Sequence, residues 1–189
     1  MINKQTRTPV INNPQLVVKL KHELLRLAGN LGESRAIRHD EDGAVLAAMV
    51  GFFILRKLIE DRHVTKKTTA LKQEVFGCDF NDALDADSRQ WIDVGDGVVP
   101  ATYSRTAAKL EARMVANKFV HAGYCVPLMR DDGTHEFLVL EENCLRKALY
   151  QEALIVPVSV VVGLFKTAAV DDSDAFKAME DWESKLCSS

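Results

Sequence analysis

The chain has 189 residues with 24 Lys/Arg, 27 Asp/Glu and a formal net charge of −3. That length supports one well-buried core. With 47% hydrophobic and 27% charged residues, the composition is that of an ordinary globular protein and excludes a disordered or fibrous class. The charge is uneven: residues 1–72 carry 13 Lys/Arg against 7 Asp/Glu, and residues 73–189 carry 11 against 20. A basic half is able to meet a polyanion even when the whole chain is acidic.

Residues 1–13 are polar, with no apolar run of the signal-peptide kind, and are expected to form an arm on a cytoplasmic protein. Pro14 suits a first helical position with Asn13 as its cap. Leu16, Val17, Leu20, Leu24 and Leu27 recur at helical spacing and predict an amphipathic helix over 15–28, stopped by Gly29, Asn30 and Gly32. A linker over 33–39 follows, long enough for a short helix of its own. Asp40, Glu41 and Asp42 place negative charge where a helix N-terminus favours it. The helix predicted over 41–62 is apolar almost all round, which places it at the centre of a bundle. Its apolar run, Ala44 to Leu55, is too short to span a membrane, which takes about 20 residues.

Residues 63–105 are the least legible. The acidic stretch Asp79, Asp82, Asp85 and Asp87 fails as a calcium loop. Counted from Asp85, Gln90 stands where glycine belongs and Asp96 where glutamate belongs. Trp91 and Ile92 read as a packing anchor before a turn over 93–97. A helix is expected from Thr106 to His121, then a hairpin with strands over 124–129 and 136–140 around the Asp-Gly turn of 130–134. Further helices are expected over 141–151 and 173–186, the last with Phe176, Met179 and Trp182 toward the core. The valine-rich run 153–165 fits a strand or a buried helix, and its continuation through Lys166–Ala169 favours helix. The expected fold is therefore mainly α: one helical domain over 14–189, a bundle with a small C-terminal hairpin.

The chemistry concentrates at one helix end. Residues four apart share a helical face, so Lys109, Arg113, Asn117 and His121 form a stripe of two cations, an amide and a ring that titrates near neutrality. His121 is suited to be a general acid or base, Asn117 to position a substrate oxygen, and Arg113 or Lys118 to hold a phosphate. Those are the parts needed to cleave RNA without a metal, with the ribose 2′-hydroxyl as internal nucleophile. Asn117 and His121 also fit a plain structural role, as satisfied polar groups at a helix end. His22, His39 and His135 lack such partners, and His135 beside the turn is expected to be exposed.

No cofactor or metal is indicated. The four cysteines (Cys78, Cys125, Cys144, Cys187) include no Cys-x-x-Cys pair, and Gly123 interrupts the His121–Cys125 spacing. P-loop, dinucleotide, Gly-x-Ser-x-Gly and His-Glu-x-x-His patterns are absent.

The run Asn117-Lys118-Phe119-Val120-His121 resembles the HEPN superfamily, small four- or five-helix domains of bacterial defence and toxin–antitoxin systems. Its signature is an arginine, then four to six intervening residues, then a histidine, often written Arg-Asn-x-x-x-His. The asparagine and histidine match, whereas Ala116 occupies the arginine's place and Arg113 lies one turn earlier. Arg56 and His63 also satisfy the loose spacing, without the asparagine. The resemblance implies a helical fold over about 14–125, a homodimer, and metal-independent ribonuclease or RNA-binding activity. Loss of the family arginine favours the alternative, a non-catalytic module that binds another protein through a helix face or the hairpin edge. A small-molecule sensor is a third class.

Overall fold

The computed structural model describes residues 11, 13–32, 40–79, 91–93, 98–100, 104–130, 132–141 and 153–171. In chain order the elements are helices α1 (Pro14–Gly32), α2 (Glu41–Glu60) and α3 (Lys66–Thr69), then strands β1 (Lys72–Asp79), β2 (Trp91–Asp93), β3 (Val98–Pro100) and β4 (Ser104–Glu111). Helix α4 (Ala112–Val120) leads into β5 (Ala122–Met129), β6 (His135–Glu141), β7 (Ala153–Pro157) and α5 (Val158–Ala169).

The mainly helical expectation is overturned. Five strands form one antiparallel sheet in the order β4-β1-β7-β6-β5, with β2 and β3 a separate two-stranded ribbon, so the fold is α+β. The hairpin strands β5 and β6 are one edge of this sheet. Two features concealed the rest. Strand β4 (Ser-Arg-Thr-Ala-Ala-Lys-Leu-Glu) is built from good helix formers, yet it pairs with β1 over eight residues from Lys72↔Glu111 to Asp79↔Ser104. Cross-strand pairing overrides a weak local preference. The helix expected over 106–121 therefore begins only at Ala112, whose N–H donates to the Leu71 carbonyl at 3.2 Å.

Strand β7 was concealed for the opposite reason. It lies in the middle of the sheet, with Leu154 and Val156 in the core under the helices and Ala153 and Ile155 in a second apolar cluster. A strand buried on both faces shows no alternation, so its run merges with the helix that follows. Both readings of 153–165 hold in part, as a strand to Pro157 and a helix from Val158.

The helices cover one face of the sheet. Helix α1 packs against α5 and α2, and α2 packs against α1 and α4. Aromatic rings tie the layers together: Phe52 of α2 stacks on Phe119 of α4 at 4.0 Å and meets Phe165 of α5 edge-on at 5.0 Å, and Phe119 meets Phe137 of β6 at 6.0 Å. Gly51 makes this approach possible, since a Cβ there would stand 2.2 Å from the Phe165 ring. Capping follows sequence: Asn13 Oδ1 accepts from the Gln15 N–H at 3.0 Å, and Asp40 Oδ1 from the Gly43 N–H at 2.8 Å. In the β5–β6 turn, Gly133 takes φ 78° and Asp132 Oδ1 accepts from Thr134 N–H and Oγ1, a bonding pattern that lowers the Asp132 carboxyl pKa.

Helix α2 corrects a second expectation. It is not enclosed: Leu46, Val50 and Phe53 are exposed on the face away from the core. A buried polar knot joins distant parts of the chain. Lys21 on α1 is fully buried and donates to the Asp171 carbonyl at 2.6 Å, while the Asp171 carboxylate accepts from Thr65 N–H and Oγ1, both at 2.9 Å. Of the arm, Ile11 is held by its backbone: its N–H donates to Asp61 Oδ2, and its carbonyl accepts from His63 Nε2, each at 2.8 Å. No helix among the described residues is long and apolar enough to cross a membrane. The expectations over 1–10, 33–39, 80–90, 94–97, 142–152 and 173–186 lie outside the described residues.

Candidate functional site

The C-terminal ends of α2 and α4 converge. Helix α4 ends because His121 leaves helical geometry as its C-cap, its N–H bonded to the Asn117 carbonyl at 3.0 Å, and the chain enters β5 through a bulge between Ala122 and Tyr124. This ending puts the exposed His121 ring beside Arg56 in the last turns of α2. Arg56 Nη1 lies 3.1 Å from His121 Nε2, and Arg56 Nε donates to Glu60 Oε1 at 2.7 Å. A guanidinium has no acceptor, so this contact needs the Nε2 lone pair and leaves the ring proton on Nδ1. Carboxylate, guanidinium and imidazole thus form a chain across two helices, between residues 65 apart in sequence.

The sequence stripe is only partly assembled. Asn117 is half-buried one turn before His121, and Lys118 is half-buried in the last turn of α4. Arg113 is exposed in the first turn, eight residues from His121, or about 12 Å along the axis. Lys109 is not on the helix at all: it lies on β4 and pairs with Glu74 of β1 at 3.4 Å, an exposed contact of little energetic weight. Ala116 is fully buried, so an arginine there would point into the core. The cation beside His121 is Arg56, which the loose spacing pairs with His63. His63 is instead occupied by the Ile11 carbonyl. No local pattern links Arg56 to His121; the packing of α2 on α4, with Phe52 four residues before Arg56 stacked on Phe119 two residues before His121, brings the two ends together.

The electrostatics favour cations here. Two helix C-termini present carbonyl dipoles, which stabilise positive side chains. Exposed Lys66 and Lys67 on α3, which packs on α4, and exposed Arg113 add positive charge along α4. Cys125 does not complete a metal pair with His121: it lies on β5, and burial pushes its thiol pKa up to about 12, so it stays protonated and a poor ligand. No group of three His, Cys, Asp or Glu side chains able to hold a metal occurs among the described residues.

Two surface grooves lie elsewhere. One, of about 570 Å³, runs between α1 and α2 beside Leu27, Leu31, Leu46 and Val50. The other, of about 680 Å³, lies among Phe76, Arg130, His135, Glu136 and Lys166, so His135 is half-buried against a cleft where the sequence suggests exposure. Beside that cleft, buried Glu136 accepts two bonds from Arg105 at 2.8 Å each, and the guanidinium lies 4.3 Å over the Phe76 ring. Phe76, Arg105 and Glu136 come from three strands, β1, β4 and β6, and no spacing in the sequence announced the cluster. Comparison of the chain with protein-family models, with curated proteins and with solved structures gave no match.

Proposed function

We propose that the Arg56–Glu60–His121 corner contacts the phosphate backbone of RNA and that its activity is metal-independent cleavage. The observation that carries this reading is the 3.1 Å approach of Arg56 to an exposed histidine. It supplies from α2 the arginine whose local place in the HEPN-like motif is taken by Ala116. The reading rests on that motif and this contact, since the five-stranded sheet is no part of the helical fold the resemblance implies.

The roles follow from side-chain chemistry. Arg56 exchanges its bond to the ring for a phosphate oxygen, which frees Nε2. His121 then acts as acid or base: the 2′-hydroxyl gives up its proton, its oxygen attacks the adjacent phosphorus, and the 5′-oxygen leaves with a proton. The products are a 2′,3′-cyclic phosphate and a 5′-hydroxyl. Asn117 positions a substrate oxygen, and Lys118 and Arg113 extend the cationic track. Because the helix dipoles oppose an anion here, affinity comes from the side-chain cations and falls with salt.

The test is incubation of the protein with mixed RNA in the presence of chelator, beside Arg56→Ala and His121→Ala. Cleavage with cyclic-phosphate ends that is lost in both variants is the expected result. Intact RNA, together with RNA binding that neither variant weakens, overturns the proposal. A second reading, a module that binds protein without catalysis, is favoured by one observation: the open apolar stripe on α2.

A further inference from the structure

Helix α2 has two unlike faces. Phe52, Leu55 and Leu58 are fully buried, whereas Leu46 is 64%, Phe53 53% and Val50 37% exposed. The spacing of four and then three residues puts these three side chains on one stripe. Exposed Asp42 continues the stripe at its start and half-buried Lys57 at its end. Adjacent large apolar side chains on an open helix face mark an interaction surface, unlike scattered single ones.

The stripe has a symmetry of its own. Counted from the midpoint between Met49 and Val50, Leu46 and Phe53 are equally distant, and so are Asp42 and Lys57. A two-fold axis through that midpoint lays a second α2 antiparallel on the first. Phe53 of each copy then faces Leu46 of the other, the Val50 side chains meet at the axis, and Asp42 faces Lys57. Lys57 already pairs with Asp61 at 3.0 Å, so Asp42 joins an existing ion pair. The two helix dipoles also run in opposite directions, which is the favourable arrangement. The groove of about 570 Å³ between α1 and α2 supplies the complementary hollow, since Leu46 and Val50 form one of its walls and Leu27 and Leu31 the other.

We infer that the protein pairs with a second copy of itself through this face of α2, as an isologous two-fold dimer. The Phe53 ring of each copy enters the groove beside Leu46 of the other. The inference does not rest on the RNA reading: Arg56 lies at the edge of the stripe, and the test reads mass.

The experiment is sedimentation of the full chain over roughly a hundredfold range of concentration, because dimer populations follow mass action. The expected mass is twice 21.0 kDa. Phe53→Glu, at an exposed position, keeps the native circular-dichroism spectrum and weakens the dimer at least about tenfold. Leu46→Glu does the same from the other end of the stripe. Register is read by mild oxidation and peptide mapping. Val50→Cys gives a 50–50 disulfide between copies. Phe53→Cys gives no 53–53 bond, because those positions stand about 10 Å apart along the axis. A monomer at every concentration overturns the inference. So does a dimer untouched by both glutamates, or a 53–53 bond in place of the 50–50 one.

Discussion

Two polar clusters in this molecule are assembled from residues far apart in the chain, and they differ in one respect. The Lys21–Asp171–Thr65 knot is sealed: Lys21 is 0% and Asp171 8% exposed, and each named acceptor is filled by a donor of the protein itself. The Arg56–Glu60–His121 corner is open to solvent, and among the described residues its side chains bond to one another. The knot fastens α1 and the end of α5 to the turn before α3. The corner fastens little, since an exposed ion pair contributes less than about 1 kcal/mol. Burial, more than residue type, separates a polar group that holds the fold from one that is free to exchange partners with a ligand.

The sharpest way to break this contrast is to remove one member of the knot. Asp171→Ala strips the carboxylate acceptor from Thr65 N–H and Oγ1, and so cuts the link between the turn before α3 and the residue whose carbonyl holds buried Lys21. The expected loss is about 3 kcal/mol in chemical denaturation, and a loss near zero would show the knot to be no more structural than the corner. The Arg105–Glu136 pair gives an intermediate case, with side chains 25% and 4% exposed. Glu136→Ala removes both 2.8 Å bonds from the half-buried Arg105 guanidinium, with an expected cost of about 2 kcal/mol by the same measurement. Arg56→Ala and His121→Ala are expected to stay within about 1 kcal/mol of the parent, while RNA affinity at low salt falls about tenfold or more.

A chemical contrast within five residues sharpens the comparison further. At pH 8 and in the folded state, His121 is expected to react with an acylating reagent while Cys125 resists alkylation. The thiol pKa, held near 12 by burial, keeps the reactive thiolate scarce until the chain unfolds. Peptide mapping of both modifications checks this, and rapid alkylation of native Cys125 would place it on an open surface.

How far the sequence discloses the fold depends on what each segment packs against. Helices α1 and α2 are plain because caps at Asn13 and Asp40 and leucines at helical spacing agree with one another. The β5–β6 pair is plain because its Asp-Gly turn is a local signal. Strands β1, β4 and β7 were concealed because their partners lie far along the chain: β4 pairs across 25 or more residues and β7 has neighbours on both sides. The same holds at the site. Asn117 and His121 lie in and at the cap of one short helix, a spacing the sequence displays, but Arg56 reaches His121 through the packing of α2 on α4, with Phe52 stacked on Phe119. Lys109 was misassigned for the reason β4 was, since a strand removes it from any helical stripe.

The most direct test of the open corner is a double-mutant cycle on Arg56 and His121, measured once in RNA binding and once in denaturation. The account predicts coupling in binding, with Arg56→Ala/His121→Ala losing little more than the worse single variant, and stability changes that are small and additive. Independent, additive losses in binding, or a coupling confined to stability, would contradict it and make the Arg56–His121 contact a structural clasp.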